Sequence, residues 1–344
     1  MKVLRYGSFK EEVQFRVKPT HGVGFTTMVD GVAVDTPSGT QLDYASGIGL
    51  ENDINMPGQY AGGGGNVEQL TFISTLQFWL KWALGGYRFF QADVGEMFNK
   101  HEMYSINERL LPSFTMEGGK DYFEHLFLGC SINSLEITVE DGYIKINPTL
   151  TFAKDVNGEL KEVETLQLPA DKPLMFYGAK LLINNVDITE QKIVKSFNIT
   201  IDNDLQQKFG IGSRFSRANT TNGRNITWGV EFEHDYDLTH LKRLWGAENG
   251  ASEDGSEEVE VRVILEGKND GNADIYLPRN IYDSVSQQPS GREEFSNAIE
   301  GKAYVGGVVL DNGETKRSSI LATVNNLKDT CEINGTDGTD GGDE

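Results

Sequence analysis

The sequence predicts a mainly β protein, built from antiparallel sandwich or barrel units that each carry one flanking α-helix. Three observations favour this fold class. Most segments alternate apolar and polar residues, which gives a strand one buried face and one solvated face. Asp-Gly and Asn-Gly pairs stand between several of these segments, and such pairs supply the positive φ angles of tight hairpin turns. Helical spacing occurs in two segments, one in each half of the chain.

The alternating segments continue along most of the chain. A first hairpin is predicted where residues 135–139 turn at Asp141-Gly142 into residues 143–152. Turns at Asp270-Gly271 and Asn312-Gly313 predict two further hairpins. Alternation also occurs at 196–201, 228–233 and 259–265, while the segments 275–277, 304–310 and 318–324 are predicted strands beside these turns.

We expect two helices, at residues 66–84 and 237–245. Asn66 is the predicted N-cap of the first, and Gly85 is predicted to end it. Its aromatic residues make this helix apolar on nearly every side, so it has to be covered by more than one surface. In the second helix the residues predicted to face inward are Leu238, Leu241 and Leu244.

The helices divide the chain into two strand-rich halves, with a predicted boundary near residues 158–171. We therefore expect domains at 1–165 and 172–328, followed by a flexible acidic tail at 329–344. Residues 19–65 form a long segment rich in Gly, Thr and Asp. Loops of this length are uncommon in compact domains and are usually functional, so we expect this arm to order against a neighbouring subunit.

The chain is strongly acidic, with 52 acidic and 31 basic residues among 344 and a net charge of −21. Phosphates repel such a surface, so the protein is a poor candidate for gripping nucleic acid, although DNA could still slide past it. No apolar run approaches the roughly 20 residues of a membrane helix, and no secretory signal is visible at the amino end. We expect a protein of the cytoplasm that does not bind a membrane.

No motif predicts catalysis, a cofactor or a metal. The run Gly62 to Gly65 lacks the Gly-Lys-Ser/Thr of a phosphate-binding loop. His234 and His240 do not have the spacing of a zinc motif, and Cys130 with Cys331 forms no CxxC pair. A carbohydrate-binding or adhesin-type β-sandwich module is the main alternative function. A hydrolase on a β scaffold would need a carboxylate pair, and no pair stands out.

One basic segment interrupts the acidic chain between residues 208 and 224, where no Asp or Glu occurs. It is either a solvated loop or a dock for an acidic neighbour. The first helix, which is apolar on nearly every side, also fits a position between two surfaces that both pack against it. The candidate assembly residues are therefore Phe72, Trp79, Trp82, Lys208, Arg214, Arg217 and Arg224.

Three segments resemble the tail tube proteins of long-tailed bacteriophages and related archaeal viruses. They are LPSFTME at 111–117, GCSINSLEI at 129–137 and KSFNITIDN at 195–203. In that family a PSFTxE strand leads to a GCxVxSLxI strand and an Asp-Gly hairpin, and a later strand ends in Asn. The resemblance covers residues 66–152 and 179–233.

The resemblance implies a structural virion protein, made in the host cytoplasm, whose rings stack into the conduit for DNA ejection. It implies a tape-measure protein inside the tube during assembly, and tail terminator and baseplate or tip proteins as further partners. Rings in this family are usually sixfold or pseudo-sixfold. If each half of the chain is one tube-like unit, three chains make a ring, and a hexamer of enlarged single units is the alternative.

Overall fold

A computed structural model describes residues 5–19, 24–29, 31–34, 41–44, 54–120, 123–140, 142–161, 166, 168–233, 239–253, 255–288 and 296–330. These residues form a mainly β structure in which every pairing between strands is antiparallel. The strands are β1 (Arg5–Glu11), β2 (Gly24–Met28), β3 (Gly31–Val34), β4 (Gln41–Tyr44), β5 (Ile54–Pro57), β6 (Gly64–Leu70), β7 (Gly85–Phe90), β8 (Asn99–Ser105), β9 (Phe114–Lys120), β10 (Phe123–Val139), β11 (Ile144–Thr151), β12 (Lys154–Gly158), β13 (Ala179–Ile183), β14 (Val186–Asp187), β15 (Val194–Asp202), β16 (Leu205–Lys208), β17 (Ala218–Thr221), β18 (Asn225–Glu233), β19 (Val259–Glu266), β20 (Asn272–Gln288), β21 (Ser296–Ala303), β22 (Gly306–Val309), β23 (Thr315–Ser318) and β24 (Leu321–Asn326). The helices are α1 (Ile73–Leu84), α2 (Ile188–Gln191) and α3 (Thr239–Trp245).

Strand β10 is shared by two sheets. Its first half lies in a sheet of order β2–β1–β9–β10–β12, and its second half pairs with β11 and β15 in another sheet. The strand changes sheets at Gly129, whose φ of +67° favours glycine. A Cβ there would also lie 2.9 Å from the ring of Phe15. A side chain at this position would therefore obstruct the bend.

A buried carboxylate holds the bend in β10. Glu12 accepts hydrogen bonds from the backbone N–H of Gly129 at 2.9 Å and from the hydroxyls of Ser113 and Thr115 at 2.9 and 2.8 Å. It also accepts one from the N–H of Arg16 at 2.8 Å. Four donors satisfy both oxygens, which is the condition for burying a carboxylate without a large penalty.

The second long strand, β20, repeats the arrangement. The second sheet has the order β3–β6–β11–β10–β15–β18–β21–β20. The first half of β20 continues into a third sheet of order β7–β8–β24–β20–β19–β13–β14. Through β10 and β20, eighteen strands are linked into one continuous system of three sheets. Three two-stranded sheets lie outside that system within the described chain, and they are β4–β5, β16–β17 and β22–β23.

The sheets close around α1, and all of its residues except Ser74 are buried. Phe9 and Phe25 of the first sheet contact Trp79, with ring centroids 4.8 and 5.4 Å apart. Trp82 stacks on Phe114 at 4.3 Å. Strands β8 and β24 pack on the helix from the third sheet. The prediction that this helix is covered on more than one side is confirmed, and the covering surfaces belong to the same chain.

The predicted start of the first helix, at Asn66, is wrong. Residues 66–70 lie in β6, where alternate side chains are buried and where β11 and β3 flank the strand. The helix begins at Ile73 after Phe72, and the amide of Ser74 is hydrogen-bonded to Asp171 at 2.9 Å. Gly85 ends it at φ +86°, with its N–H bonded to the carbonyl of Lys81, as predicted.

Three further predictions change in detail. Within residues 19–65, β2 pairs with β1 and β3 pairs with β6, so these parts of the arm are anchored. The strand predicted at 318–324 is two strands, because β23 ends at Ser318 and β24 begins at Leu321. Helix α3 buries His240, and the predicted inward residues Leu241 and Leu244 are only half buried. Residues 234–238, which include Leu238, and residues 331–344 lie outside the described residues.

Strands of the two halves pair directly. β10 pairs with β15 and β8 pairs with β24, so the sheets cross the boundary predicted near residues 158–171. One apolar core includes residues of both halves. Among the described residues no helix combines the length and the hydropathy needed to cross a bilayer.

A buried ion pair joins α1 to β1 and generates a prediction. Lys81 and Glu11 are each 7% exposed, their charged atoms are 2.9 Å apart, and the indole N–H of Trp82 donates to the same carboxylate at 2.9 Å. Lys81→Met should lower the free energy of unfolding by about 3–5 kcal/mol, since it leaves a buried carboxylate without its cation. Urea unfolding followed by tryptophan fluorescence measures this loss.

The control is Lys145→Met, because Lys145 forms an exposed pair with Glu68. Lys145→Met should change the free energy of unfolding by less than about 1 kcal/mol. The double variant Glu11→Gln with Lys81→Met should recover part of the loss, because no unpaired charge then remains. A Lys81→Met protein as stable as the control would contradict this explanation.

Candidate assembly surfaces

The basic segment forms an exposed loop on the β16–β17 hairpin. We call residues 208–217 the basic loop. Lys208, Arg214 and Arg217 are exposed, and none of them forms an ion pair with a described residue. In a chain of net charge −21, exposed cations without carboxylate partners leave a locally positive surface.

The basic loop is held by an aromatic contact. Two cations lie over the ring of Phe215, with Arg16 and Lys154 at 5.7 and 5.4 Å from its centroid. Tyr60 packs beside Phe215 at 5.3 Å and donates its backbone N–H to the carbonyl of Arg214 at 2.7 Å. These contacts fix the base of the loop and add two further positive charges to the same corner.

The tip of the basic loop carries an apolar side chain. Arg217 donates from its guanidinium to the carbonyl of Ile211 at 2.7 Å and from its backbone to the carbonyl of Lys208 at 2.7 Å. Ile211 itself is fully exposed. The loop therefore presents one apolar residue surrounded by positive charge.

Arg224, the fourth cation of the segment, has a different role. It donates to Asn203 Oδ1 at 2.8 Å and to the carbonyl of Ile106 at 3.3 Å. Asn203 in turn donates to the carbonyls of Ala83 at the end of α1 and Ile132 of β10. Desolvation lowers the pKa of Arg224 to about 10, so it stays charged near neutral pH. Arg224 links elements within the chain.

The aromatic candidates also have their contacts within the chain. Trp79 and Trp82 have no exposed surface, and Phe72 is half buried in an isolated bridge to Pro173. The covering of α1 by its own sheets explains this burial, which removes the reason for placing the two tryptophans in a contact between subunits. The structure thus separates the seven candidates into three exposed cations and four residues that stabilise the fold.

The chemical motifs weighed in the sequence have structural roles where they are described. Gly64 and Gly65 begin β6 and do not precede a helix. His240 is buried, with Nδ1 at 3.1 Å from the hydroxyl of Tyr282, and His234 lies outside the described residues. Burial raises the pKa of the Cys130 thiol. The described residues hold no cluster of three or more His, Cys, Asp or Glu suited to a metal.

Two surface features escaped the sequence reasoning. One is an apolar groove of about 320 Å³ beside β13, which we call the β13 groove. The other is the turn between β7 and β8, residues 91–98, which we call the acidic loop. Its signal was present in the sequence, since Val94 and Met97 interrupt the acids Asp93 and Glu96 where no alternation predicts a strand. The groove carried no such signal because its lining residues come from distant segments.

The two roles assigned within the basic segment generate a prediction. Arg224→Ala should lower the free energy of unfolding by about 1–3 kcal/mol, because it leaves Asn203 Oδ1 and the Ile106 carbonyl without a donor. Arg214→Ala and Arg217→Ala are the matched controls and should change it by less than about 0.5 kcal/mol. Thermal unfolding followed by circular dichroism compares them, and equal losses in all three variants would contradict the assignment.

Comparison with known families identifies the family of this chain. A family model described as "Phage tail tube protein" matches residues 52–252, which is more than half of the chain. The match runs from β5 through α3 and includes β10, β15 and β18 at the centre of the second sheet. A search of curated proteins finds no match. The chain therefore belongs to the phage tail tube protein family, and is a structural, non-enzymatic protein of the virion tail that polymerises into the tail tube.

Proposed function

We propose that this chain closes into rings that stack into the conduit through which viral DNA leaves the particle. The observation that carries the proposal is the family match over residues 52–252, which covers β10, the strand that joins the first sheet to the second, and its neighbours β15 and β18. The exposed basic loop adds a second, local support. It is a structured surface whose charge is opposite to that of the chain as a whole, as expected for a contact between copies.

The proposed ring contains three chains, each supplying two tube-like units. In support, each half has one 17-residue strand that passes from one sheet into another, β10 in the first half and β20 in the second. Each half also has one helix on its long strand, with α1 against β10 and α3 against β20. A hexamer of single enlarged units is the alternative, and the direct pairing between the two halves favours it.

The proposal also covers the arm, the partner proteins and the charge of the bore. The β4–β5 hairpin pairs with no other strand among the described residues, which supports an arm that orders against a neighbouring subunit. The tape-measure protein would occupy the bore during assembly, while tail terminator and baseplate or tip proteins would cover the tube ends. The bore would be acidic, because a basic wall would hold DNA phosphates and slow ejection.

Charge reversal tests the basic loop in assembly. Arg214→Glu with Arg217→Glu should reduce polymerisation about tenfold or more, since the loop would then be repelled by the acidic surface that it meets. Tube yield is measured by sedimentation and negative-stain electron microscopy. The control is Lys172→Glu with Arg317→Glu, which makes the same charge change at two exposed residues outside the loop. Normal tubes from the loop variant would show that the loop is only a solvated surface.

A reconstruction of the assembled tube tests ring size and bore together. We expect three chains per ring and more Asp and Glu than Lys and Arg on the inner wall. Six chains per ring would replace the trimer with the hexamer. An inner wall richer in Lys and Arg would overturn the acidic bore, whichever ring size is found.

A further inference from the structure

The β13 groove is an apolar surface without a covering element among the described residues. Its floor is formed by Val139, Leu181, Phe197 and Val263, which lie on β10, β13, β15 and β19. At its rim, Tyr177 and Ile193 are 66% and 64% exposed. Scattered exposed apolar residues are normal in proteins, but apolar side chains gathered around one concave surface mark a binding site.

The rim of this groove is basic. Lys180 and Lys192 are among the lining residues, and Lys268 lies 5.5 Å above the ring of Tyr177. Lys180 also pairs with Glu266 at 2.7 Å, but both side chains are about half exposed, so this pair contributes little and can exchange partners. A suitable occupant of the groove therefore has apolar side chains next to carboxylates.

The acidic loop on the same chain has that chemistry. Val94 is fully exposed and Met97 is 66% exposed, and Asp93 and Glu96 stand beside them. The loop is a defined turn, because Glu96 donates its N–H to the Asp93 carbonyl at 3.0 Å. Asn99 Oδ1 accepts the N–H of Ala92 at 2.8 Å and fixes the base. The basic loop, whose tip is Ile211, does not fit because its arginines would meet the lysine rim.

The third sheet places groove and loop on opposite sides, because the loop lies at the β7–β8 edge and the groove lies beside β13, next to the other edge strand β14. The acidic loop joins β7 to β8 at one edge, and β13 lies five strands from β7 across the sheet, about 24 Å away. Both features are at the same end of the strands. The register shows this, because Asn99 pairs with Asn326, Asn325 with Asn272, Asn272 with Glu266, and Leu265 with Ala179.

We propose that the acidic loop of one copy of this chain inserts Val94 and Met97 into the β13 groove of the next copy, with Asp93 and Glu96 facing the lysine rim. The contact is head-to-tail, because it joins two different surfaces, and repetition of such a contact forms a ring when the rotation closes. Because loop and groove lie at the same end of the strands, the contact can join copies side by side, as closure of a ring requires. The inference rests on the proposed function, since it names the surfaces through which the ring closes.

The first experiment removes the apolar insertion. Val94→Asp should reduce the yield of rings and tubes about tenfold or more, measured by sedimentation and negative-stain microscopy of the full-length chain. Val309→Asp is the matched control, because Val309 is a valine of β22 that is 62% exposed and is not among the residues that line the groove. It should assemble like the wild type. Wild-type assembly by Val94→Asp would overturn the inference.

The second experiment detects the contact directly by disulfide cross-linking. Val94→Cys with Ile193→Cys, in a Cys331→Ser background, should give a ladder of cross-linked multimers in assembled samples after mild oxidation. Each single cysteine, and the pair Val309→Cys with Ile193→Cys, should give none. Cys130 is buried and does not interfere. A ladder requires the two positions to approach within disulfide distance, about 7 Å between Cα atoms.

The outcomes separate the two proposals. If the double-cysteine variant forms normal tubes but gives no cross-link between positions 94 and 193, the inference is overturned and the proposed function stays intact. A wild-type chain that never forms rings or tubes would overturn the proposed function and the inference together. Dimers from Val94→Cys alone would show that two acidic loops meet each other, which also contradicts the head-to-tail contact.

Discussion

The fold depends on one strand serving two sheets. When β10 leaves the first sheet at Gly129, the two sheets diverge and the space between them has to be filled. Helix α1 fills it with Trp79 and Trp82, and the carboxylate of Glu12 fixes the bend by accepting the Gly129 amide. Each part is needed by the others. Without the aromatic helix the diverging sheets would enclose a cavity, and without the bend the helix would have no site.

The sequence predicted the features that are local along the chain. Alternation located β15, β18 and β19, and the positive-φ preference of glycine located the end of α1 at Gly85. It misplaced the start of α1 because Asn66 is a good helix cap in isolation, while its actual conformation is set by pairing with β11 and β3. Strand pairing joins residues far apart in sequence, so neither the 17-residue length of β10 nor its two sets of partners could be read from spacing.

The candidate assembly residues divide in the same way, into those whose role follows from local sequence and those whose role depends on tertiary structure. Exposure of Lys208, Arg214 and Arg217 follows from a run of cations without an Asp or Glu, which the sequence alone indicates, while the two short strands that flank the loop are seen only in the structure. The role of Arg224 does not, because its acceptors at Asn203 and Ile106 are brought to it by the folded sheets. The β13 groove is an extreme case, since its lining spans residues 139 to 263. Residue types predict whether a surface is charged, but tertiary structure decides which charges are available to a partner.

Copies of a chain with net charge −21 repel one another, and self-assembly has to overcome this repulsion. The basic and acidic surfaces described above can do so locally, at each contact. Screening at physiological salt confines interactions between exposed charges to about 8 Å, so the total charge matters less than the charges at each contact. A head-to-tail contact joins two unlike surfaces, so one chain can supply both signs: a basic rim or loop on one side and acidic residues on the other. Apolar burial then provides most of the affinity, and charge fixes the register. The excess of acid is left for surfaces that take no part in these contacts, and in the proposed conduit the bore would be one of them.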